Sequence, residues 1–318
     1  MRVRFVGLAW NWGVAEFETT CLASLMQPDN LPWLVQNGIG VTLTVYTIER
    51  DGAAVRAMLE RTLEAAGLTG MLDIDVATAP DAALVNSLEM KRTILVLEFN
   101  RAVAEQAAMM LLAADCYFGN GSIRNIATYC RKPGVVAAAI HVRVKRAEFQ
   151  SLMHQYREKF GSSPISNAKL VDMGLRSQIT AFSESNVDND RNASAETAIS
   201  LREVAPDLTA VIQHMPSPFM FWPQQSDIYF FQTGAYGKNW DAFDHIWPTQ
   251  LIMQRRWKIL ASSDLFFLVE LTDEAEQGHL YPTEEGMRYN ERFKHAELPH
   301  MILNESIVCT LRREPFLS

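Results

Sequence analysis

The sequence has no hydrophobic run long enough to cross a membrane, no paired cysteine motif and no surplus of positive charge. A membrane-spanning helix needs about 20 mostly apolar residues, so no membrane span is expected. The apolar run after Arg4 is too short for a secretory signal and has no cleavage site. The formal net charge of −8 argues against a large nucleic-acid surface, which is usually basic, but leaves room for a local basic groove.

The cysteines do not form a recognisable metal or disulfide pattern. Cys21, Cys116, Cys130 and Cys309 contain no C-x-x-C pair, so a zinc cluster of known spacing is excluded. We expect four reduced core thiols, which suits a cytoplasmic protein.

Several catalytic motifs are also missing. There is no G-x-G-x-x-G and no G-K-[ST], which argues against a dinucleotide-binding fingerprint and against a P-loop for nucleotide phosphates. There is no G-x-S-x-G and no H-E-x-x-H, which argues against a serine hydrolase or a zinc protease.

The 318 residues, 48% of them hydrophobic, are enough for a large core of alternating strands and helices. The predicted strands of the first part are Val3–Trp10, Val41–Thr47, Leu72–Ala77, Asp115–Phe118 and Val135–Val142. The predicted helices are Phe17–Met26, Ala53–Ala66 with Asp51 as a cap, a long helical region Asp81–Ala114, and Arg146–Phe160. This alternation predicts an α/β fold with a Rossmann-like, mostly parallel sheet flanked by helices.

The second part is mixed. A polar insertion is expected over Ser162–Ala205, and a polar, mostly helical tail from Thr272. Between them we predict strands at Leu208–Met215, Phe219–Trp222, Asp227–Gln232, Trp257–Leu260 and Leu265–Leu271, and a helix at Trp240–Met253. The predicted organisation is a nucleotide-binding half 1–161, an acceptor or catalytic half 162–271 of the same domain, and a tail 272–318.

A polar turn, Gly119–Ser122, follows the predicted strand Asp115–Phe118 and precedes a helix. Ligands of parallel sheets bind outside the carboxyl ends of the strands, and helix N-termini favour anions. Asn120 and Ser122 are therefore candidates for contacting ribose or diphosphate. The alternative is a simple strand-to-helix turn in which Ser122 is the N-cap.

The ends of the first two strands carry aromatic and cationic side chains that would face the same crevice. Trp10 with the amide of Asn11 could hold a base, and Arg50, just after the neighbouring strand, could hold a phosphate. Thr47, at the end of that strand, would help to hold the nucleotide. The alternative is that Trp10 and Trp12 only anchor helices on the sheet.

Four residues of the second part are candidates for proton transfer or metal binding. Asp241 and Asp244 are three residues apart and share a helix face, and Asp264 lies at the start of an apolar strand. His214 could ligate a metal or be a hydrogen-bonded core histidine. The alternative for the two helical aspartates is that they cap a helix.

The sequence resembles bacterial glycosyltransferases of the nucleotide-sugar-binding A-type fold, in a divergent family-2-like group. The resemblance rests on four stretches in order: Ser24–Pro32 followed by Val45–Thr47, then Ala114–Ser122, Gln213–Pro216 and Ser262–Asp264. It implies a nucleotide-diphosphate sugar as donor and a glycan or other hydroxyl acceptor. The family usually has an Asp-x-Asp pair for Mn²⁺ or Mg²⁺, but here Asn120 stands where an acid is expected. Asp115, Asp241 or His214 would then hold the metal, or transfer would need none.

The leading hypothesis is a glycosyltransferase in which Asp241, Asp244 or Asp264 is the general base. One alternative is a catalytically silent binding or scaffold protein on the same fold, suggested by the missing carboxylate pair. Another is a Rossmann-type enzyme that binds a nucleotide or phosphate.

Overall fold

The computed structural model describes residues 1–81, 87–139, 141–179, 199–213, 217–232, 254, 256–273 and 307–318. The strands are β1 (Arg2–Leu8), β2 (Gly40–Ile48), β3 (Asp73–Ala79), β4 (Ala108–Leu112), β5 (Cys116–Phe118), β6 (Val136–Ala139), β7 (Val142–Lys145), β8 (Ile199–Ala205), β9 (Leu208–Gln213), β10 (Ser217–Phe221), β11 (Trp257–Leu260), β12 (Leu268–Thr272) and β13 (Ile307–Arg312).

The helices include a long first one in three contiguous parts: α1 (Trp12–Glu16), a π-helical stretch Phe17–Leu22 and α2 (Ala23–Leu25). The others are α3 (Leu31–Gln36), α4 (Gly52–Ala65), α5 (Ser87–Glu105), α6 (Ser122–Tyr129), α7 (Arg146–Phe160), α8 (Asn167–Arg176) and α9 (Gln225–Gln232). Within the described ranges, no helix combines the length and the apolar character needed to cross a bilayer.

The chain divides into two compact units that interleave along the sequence. The first comprises Met1–Cys116, Ile123–Ala138 and Pro218–Ile259, and the second comprises Tyr117–Ser122, Ala139–Ser217 and Leu260–Ser318. The boundaries expected at residues 161 and 271 stay predictions.

The first unit is built on a seven-stranded sheet with the order β11-β6-β10-β4-β1-β2-β3. The neighbours β4, β1, β2 and β3 are parallel, with Val3 paired to both Val41 and Ala108. Strand β10 adds to β4 in the antiparallel direction. The fold is therefore mixed α/β, with a mostly parallel sheet flanked by helices, and is compatible with the predicted Rossmann-like class.

Strand β1 is buried on both faces, as expected for a central strand. Side chains alternate between the faces, so Arg4 and Val6 point towards α5 while Gly7 faces the π-helical stretch. A Cβ at Gly7 would lie 2.9 Å from the ring of Phe17. The glycine therefore lets the first helix pack directly on the strand.

Helix α5 covers the other face of the sheet. Ile94, Leu95 and Phe99 of this helix pack against Val6 of β1 and Phe221 of β10. The rings of Phe99 and Phe221 are stacked with centroids 5.5 Å apart. This apolar layer places α5 across the centre of the sheet.

The prediction of a helical region through Ala114 was wrong at its C-terminal end, because residues 108–112 form β4. Helix α5 ends in a Schellman arrangement: the Gln106 N–H donates to Val103 O and the Ala107 N–H to Ala102 O. Gln106 has φ 51, a conformation that glycine usually supplies at this position. Because no glycine stands at this position, no local pattern predicts the break.

Two other predictions of secondary structure were wrong. Asp227–Gln232 is helical, because the Asp227 carboxylate accepts the Gln224 N–H and lies in the first turn of α9. The polar insertion 162–205 contains α8, capped by Ser166, and β8. In the tail, which was expected to be mostly helical, the described residues 307–318 contain the strand β13. The predicted strand Val135–Val142 is divided between β6 and the start of β7.

Strands β1, β2, β3 and β5 and helices α4 and α7 were predicted to within a few residues. The strands Trp257–Leu260 and Leu265–Leu271 correspond to β11 and β12. The helix predicted at Trp240–Met253 lies outside the described residues.

The second unit has two three-stranded sheets, β5-β12-β7 and β13-β9-β8. Strands β12 and β7 are parallel, whereas β9 pairs antiparallel with both β13 and β8. The turn Gly119–Ser122 therefore follows a strand of a small sheet and not of the large parallel one.

A buried charge network fixes α5 to the sheet in the first unit. The Arg4 guanidinium donates to Glu98 at 2.7 Å, and their side chains are 6% and 0% exposed. The Tyr46 hydroxyl donates to the other oxygen of Glu98 at 2.7 Å. Burial lowers the pKa of Arg4, but the bonds to Glu98 and Glu105 outweigh it and raise the pKa overall. Burial and the bond to Glu98 also raise the pKa of Tyr46.

We expect Glu98→Gln to lower the free energy of unfolding by about 3–5 kcal/mol, because it leaves the buried Arg4 charge poorly compensated. Urea denaturation measures the change, with the exposed Glu60→Gln on α4 as the control. The double variant Arg4→Met/Glu98→Leu is expected to lose less free energy of unfolding than Glu98→Gln, since it removes both charges. A loss below about 1 kcal/mol in Glu98→Gln would contradict this account.

A second charged group links the strands of the second unit. Burial raises the pKa of Glu270 on β12, but His141 and Arg143 outweigh it and lower the pKa to about 2. The His141 Nε2 and Arg143 Nε atoms lie 3.1 and 3.3 Å from Glu270 Oε2.

A carboxyl group with a lowered folded-state pKa stabilises the protein above its ordinary value, and the contribution is lost as the pH falls towards the folded value. We therefore expect wild type to be more stable than Glu270→Gln at pH 6, with the difference shrinking as the pH falls below the ordinary value of 4.5 towards 2. Urea midpoints measured between pH 6 and 3 test this, and a pH-independent difference would be inconsistent with it.

Candidate functional site

The first unit contains an open cavity of about 260 Å³ at the carboxyl ends of β1 and β4. The residues that line it come from the end of β1, the start of the first helix, α5 and the segment after β4: Leu8, Trp10, Asn11, Trp12, Gly13, Glu16, Lys91, Ala113, Ala114 and Asp115.

The topology explains why a cavity forms at this point. The chain leaves β1 and continues to β2 on one side, while β4 lies against β1 on the other side. Connections that diverge in this way leave a crevice at the strand ends, and α/β proteins bind ligands there. The cavity is therefore at the topological switch point of the parallel part of the sheet.

The cavity combines an indole, an ammonium and two carboxylates. Lys91 Nζ lies 5.9 Å from the ring centroid of Trp10. Glu16 on α1 is 8% exposed, and Asp115 follows β4. Burial and the Asp115 charge together raise the pKa of the neighbouring Cys21 thiol. Such a lining offers contacts to a flat apolar ring, to anionic groups and to hydroxyls.

The rim of the cavity is also aromatic and charged. Trp12 is 69% exposed, which is unusual for so large an apolar side chain. The Arg50 guanidinium donates a hydrogen bond to Asn11 Oδ1 and lies 3.8 Å from the Asp81 carboxylate. The structure thus brings the predicted residues Trp10, Arg50 and Asp115 to one region of the first unit.

The turn Gly119–Ser122 is instead packed inside the second unit. Ser122 is 0% exposed, and its hydroxyl accepts the Phe267 N–H at 3.0 Å and lies 2.9 Å from Asn167 Oδ1. The Asn120 N–H donates to Ile165 O, and a Cβ at Gly119 would lie 1.9 Å from Asn167. The backbone N–H groups of Gly119 and Asn120, which were expected to bind an anion, donate to Phe267 O and Ile165 O instead. The turn therefore links segments that are distant in the sequence.

Of the other predicted residues, the described Thr47 and Asp264 do not line the cavity. Thr47 is 1% exposed, and its hydroxyl has no hydrogen-bond partner among the described residues. Asp264 belongs to the second unit, where its half-exposed carboxylate lies 3.7 Å from Arg312. His214, Asp241 and Asp244 lie outside the described residues.

Sequence reasoning missed two cavity residues, Glu16 and Lys91. Glu16 lies one turn into the first helix, which begins at Trp12, and it lines the cavity together with Leu8 at the end of β1. Lys91 lies in the first part of α5, which leads into β4. Neither residue belongs to a sequence motif. The place of Lys91 at the cavity could be predicted only by recognising residues 108–112 as a strand.

No group of three or more His, Cys, Asp or Glu side chains that could hold a metal ion is found in the described parts of the chain. The cavity itself offers the carboxylates of Glu16 and Asp115. Mg²⁺ commonly uses one or two carboxylates and completes its shell with water and substrate phosphates. The residues therefore fit a cation shared with a phosphate ligand, and they do not fit a cage made by the protein alone.

Comparisons with known proteins add little to this geometry. No family profile matches the sequence, and no curated protein matches it. Among solved structures, the chain is similar to mouse xyloside xylosyltransferase 1 in its apo form, with a TM-score of 0.29 and 12% sequence identity. The similarity covers 52% of this chain and 61% of the xylosyltransferase, and it is too low to support an argument about function.

We expect Ser122→Ala to lower the free energy of unfolding by about 1–3 kcal/mol, because it leaves the Phe267 N–H buried without its acceptor. Thr128→Ala on α6 is the control, since its hydroxyl is exposed and bonds only to its own helix. Urea denaturation of both variants provides the measurement. Equal, small losses in the two would show that Ser122 is not a structural residue.

Proposed function

We propose that the protein is a glycosyltransferase whose donor, a nucleotide-diphosphate sugar, binds in the cavity at the ends of β1 and β4. The observation that carries the proposal is the combination of Trp10, Lys91 and Asp115 at the switch point of a parallel sheet. A nucleotide sugar presents a flat base, an anionic diphosphate and a polyhydroxylated ring. Each of these has a chemical counterpart in the cavity wall.

In this proposal Trp10 contacts the base and Lys91 offsets the diphosphate charge, while Arg50 lies close enough to the rim to assist. An ammonium beside the leaving diphosphate stabilises the charge that develops as the bond to the sugar breaks. Arg50 already bonds to Asn11, so it would need to share or exchange that contact.

A divalent cation, Mn²⁺ or Mg²⁺, would be held by Asp115, with the phosphates supplying further oxygens. When bound, it would neutralise diphosphate charge. His214 and Asp241, the other predicted metal ligands, stay predictions.

Transfer requires the acceptor oxygen to bond to the anomeric carbon while the bond from that carbon to the diphosphate breaks. A general base takes the proton from the acceptor hydroxyl. Asp241, Asp244 and Asp264 stay the predicted candidates for this base. The acceptor is a glycan or another hydroxyl compound, and the proposed location of the protein is the cytoplasm.

A second candidate is a protein that binds the nucleotide sugar without transferring it. It is favoured by the packing of Gly119–Ser122, because the segment in which the resemblance places the metal-binding acids is used as a structural joint. Release of nucleoside diphosphate from the donor, with and without acceptor, separates binding from catalysis.

Isothermal titration with a panel of nucleoside diphosphates and their sugar conjugates, in Mg²⁺ or Mn²⁺, tests the proposal. We expect Lys91→Met to weaken the binding of the preferred compound about ten- to a hundredfold, since a hydrogen bond to a charged group contributes about 1.5–3 kcal/mol. Asp115→Asn is expected to weaken binding in the presence of the metal more than in its absence.

Lys258→Met is the matched control, because this exposed lysine lies on β11, at the far edge of the same sheet. Ser122→Ala should bind as wild type does. If no compound of the panel binds to wild type, or if Lys91→Met and Lys258→Met bind equally, the proposed site is wrong.

A further inference from the structure

The cavity wall contains a strained turn. Residues Trp10–Gly13 form a β-turn in which the Gly13 N–H donates to Trp10 O at 3.0 Å. Asn11, the second residue, has φ 54 and ψ −130, the conformation of that position in a type II′ turn. Glycine usually occupies this position, and another residue adopts it only when its surroundings hold it there.

The turn determines where two aromatic side chains lie. Trp10 and Trp12 are the neighbours of Asn11 on either side, and both line the cavity. A change in the Asn11 backbone would therefore move one indole relative to the other.

Asp51 holds this turn from the end of the neighbouring strand. Its Oδ2 atom accepts the Asn11 N–H at 2.6 Å, a short bond that the negative charge strengthens. Arg50, the preceding residue, donates to the side-chain oxygen of Asn11. Both the main chain and the side chain of Asn11 are thus fixed by the segment that follows β2.

The bond from Asp51 replaces the one that its position predicts. Asp51 is the N-cap of α4, where an aspartate normally accepts a backbone N–H of its own helix. Here its side chain makes no capping bond and reaches Asn11 instead. The capping position was predicted correctly from the sequence, but the partner of the carboxylate was not.

We infer that Asp51 is a positioning residue of the cavity, which keeps Asn11 in its strained conformation and thereby sets the placement of Trp10 and Trp12 for the ligand. Only the identity of that ligand rests on the proposed function. The arrangement of the turn itself does not depend on it.

The first test needs no ligand. Protein labelled with 5-fluorotryptophan is studied by ¹⁹F NMR, with the Trp10 and Trp12 signals assigned through Trp10→Phe and Trp12→Phe. Asp51→Ala should shift or broaden these two signals and leave the other tryptophan signals unchanged, which also confirms folding. Asp51→Asn retains an acceptor and should restore much of the wild-type spectrum. Glu49→Ala, an exposed neighbour, is the control.

The second test is a double-mutant cycle with Asn11→Gly. Glycine adopts this turn without help, so Asp51→Ala should have a smaller effect in that background than in wild type. For the nucleoside diphosphate that binds best, we expect Asp51→Ala to weaken affinity about tenfold in wild type and less than about threefold in Asn11→Gly.

Unchanged Trp10 and Trp12 signals in Asp51→Ala would overturn the inference, as would equal effects of Asp51→Ala in the two backgrounds. If no nucleoside diphosphate binds to wild type, the proposed function fails while the fluorine spectra still decide the role of Asp51. The two failures are therefore distinguishable.

Discussion

The ion pair between Arg4 and Glu98 is the contact on which the arrangement of the first unit depends. Arg4 lies on the central strand β1 and Glu98 in the middle of α5, and water has almost no access to either side chain. Tyr46 extends the network to β2. Since α5 precedes β4 in the chain, fixing it over the sheet also fixes the start of α5, where Lys91 contacts the cavity. Moving the helix so that the two charges separate would leave both buried without this partner, which is costly.

The same constraint connects the fold to the site. Leu8 follows Arg4 on β1, and Trp10 comes just after the strand. On α5, Lys91 lies seven residues before Glu98, about 10 Å along the helix. The charge network and the cavity wall therefore both use residues of β1 and α5. The Trp10–Gly13 turn completes the cavity wall. Asp51, in the segment after β2, holds this turn by accepting the Asn11 N–H. Two charge-assisted contacts, one buried under the sheet and one at its edge, thus determine where the aromatic and cationic side chains meet.

Much of the parallel sheet could be predicted from the sequence, because strands such as Val41–Thr47 and helices such as Arg146–Phe160 have clear periodicity and glycine or proline at their ends. Strand β4 could not be predicted, because α5 ends just before Gln106, which has a positive φ. Glycine usually occupies such a position and marks the end of a helix in the sequence. The omission of β4 hid Lys91 and the position of Asp115 next to β1. Trp10 and Arg50 were expected at one crevice because the carboxyl ends of parallel strands share one edge, and their role in ligand binding stays a prediction. The bonds of Ser122 to Phe267 and Asn167 could not be predicted, because both partners are far away in sequence and leave no local pattern.

We propose that the cavity between the ends of β1 and β4 accepts a nucleotide-diphosphate sugar. A crystal structure of the protein soaked with a mixture of nucleotide sugars and Mn²⁺ is the most direct test of this proposal. We expect density for a base against Trp10 and for a diphosphate beside Lys91 and Asp115. Density for the nucleotide at Gly119–Ser122, with the cavity at β1 and β4 empty, would contradict it.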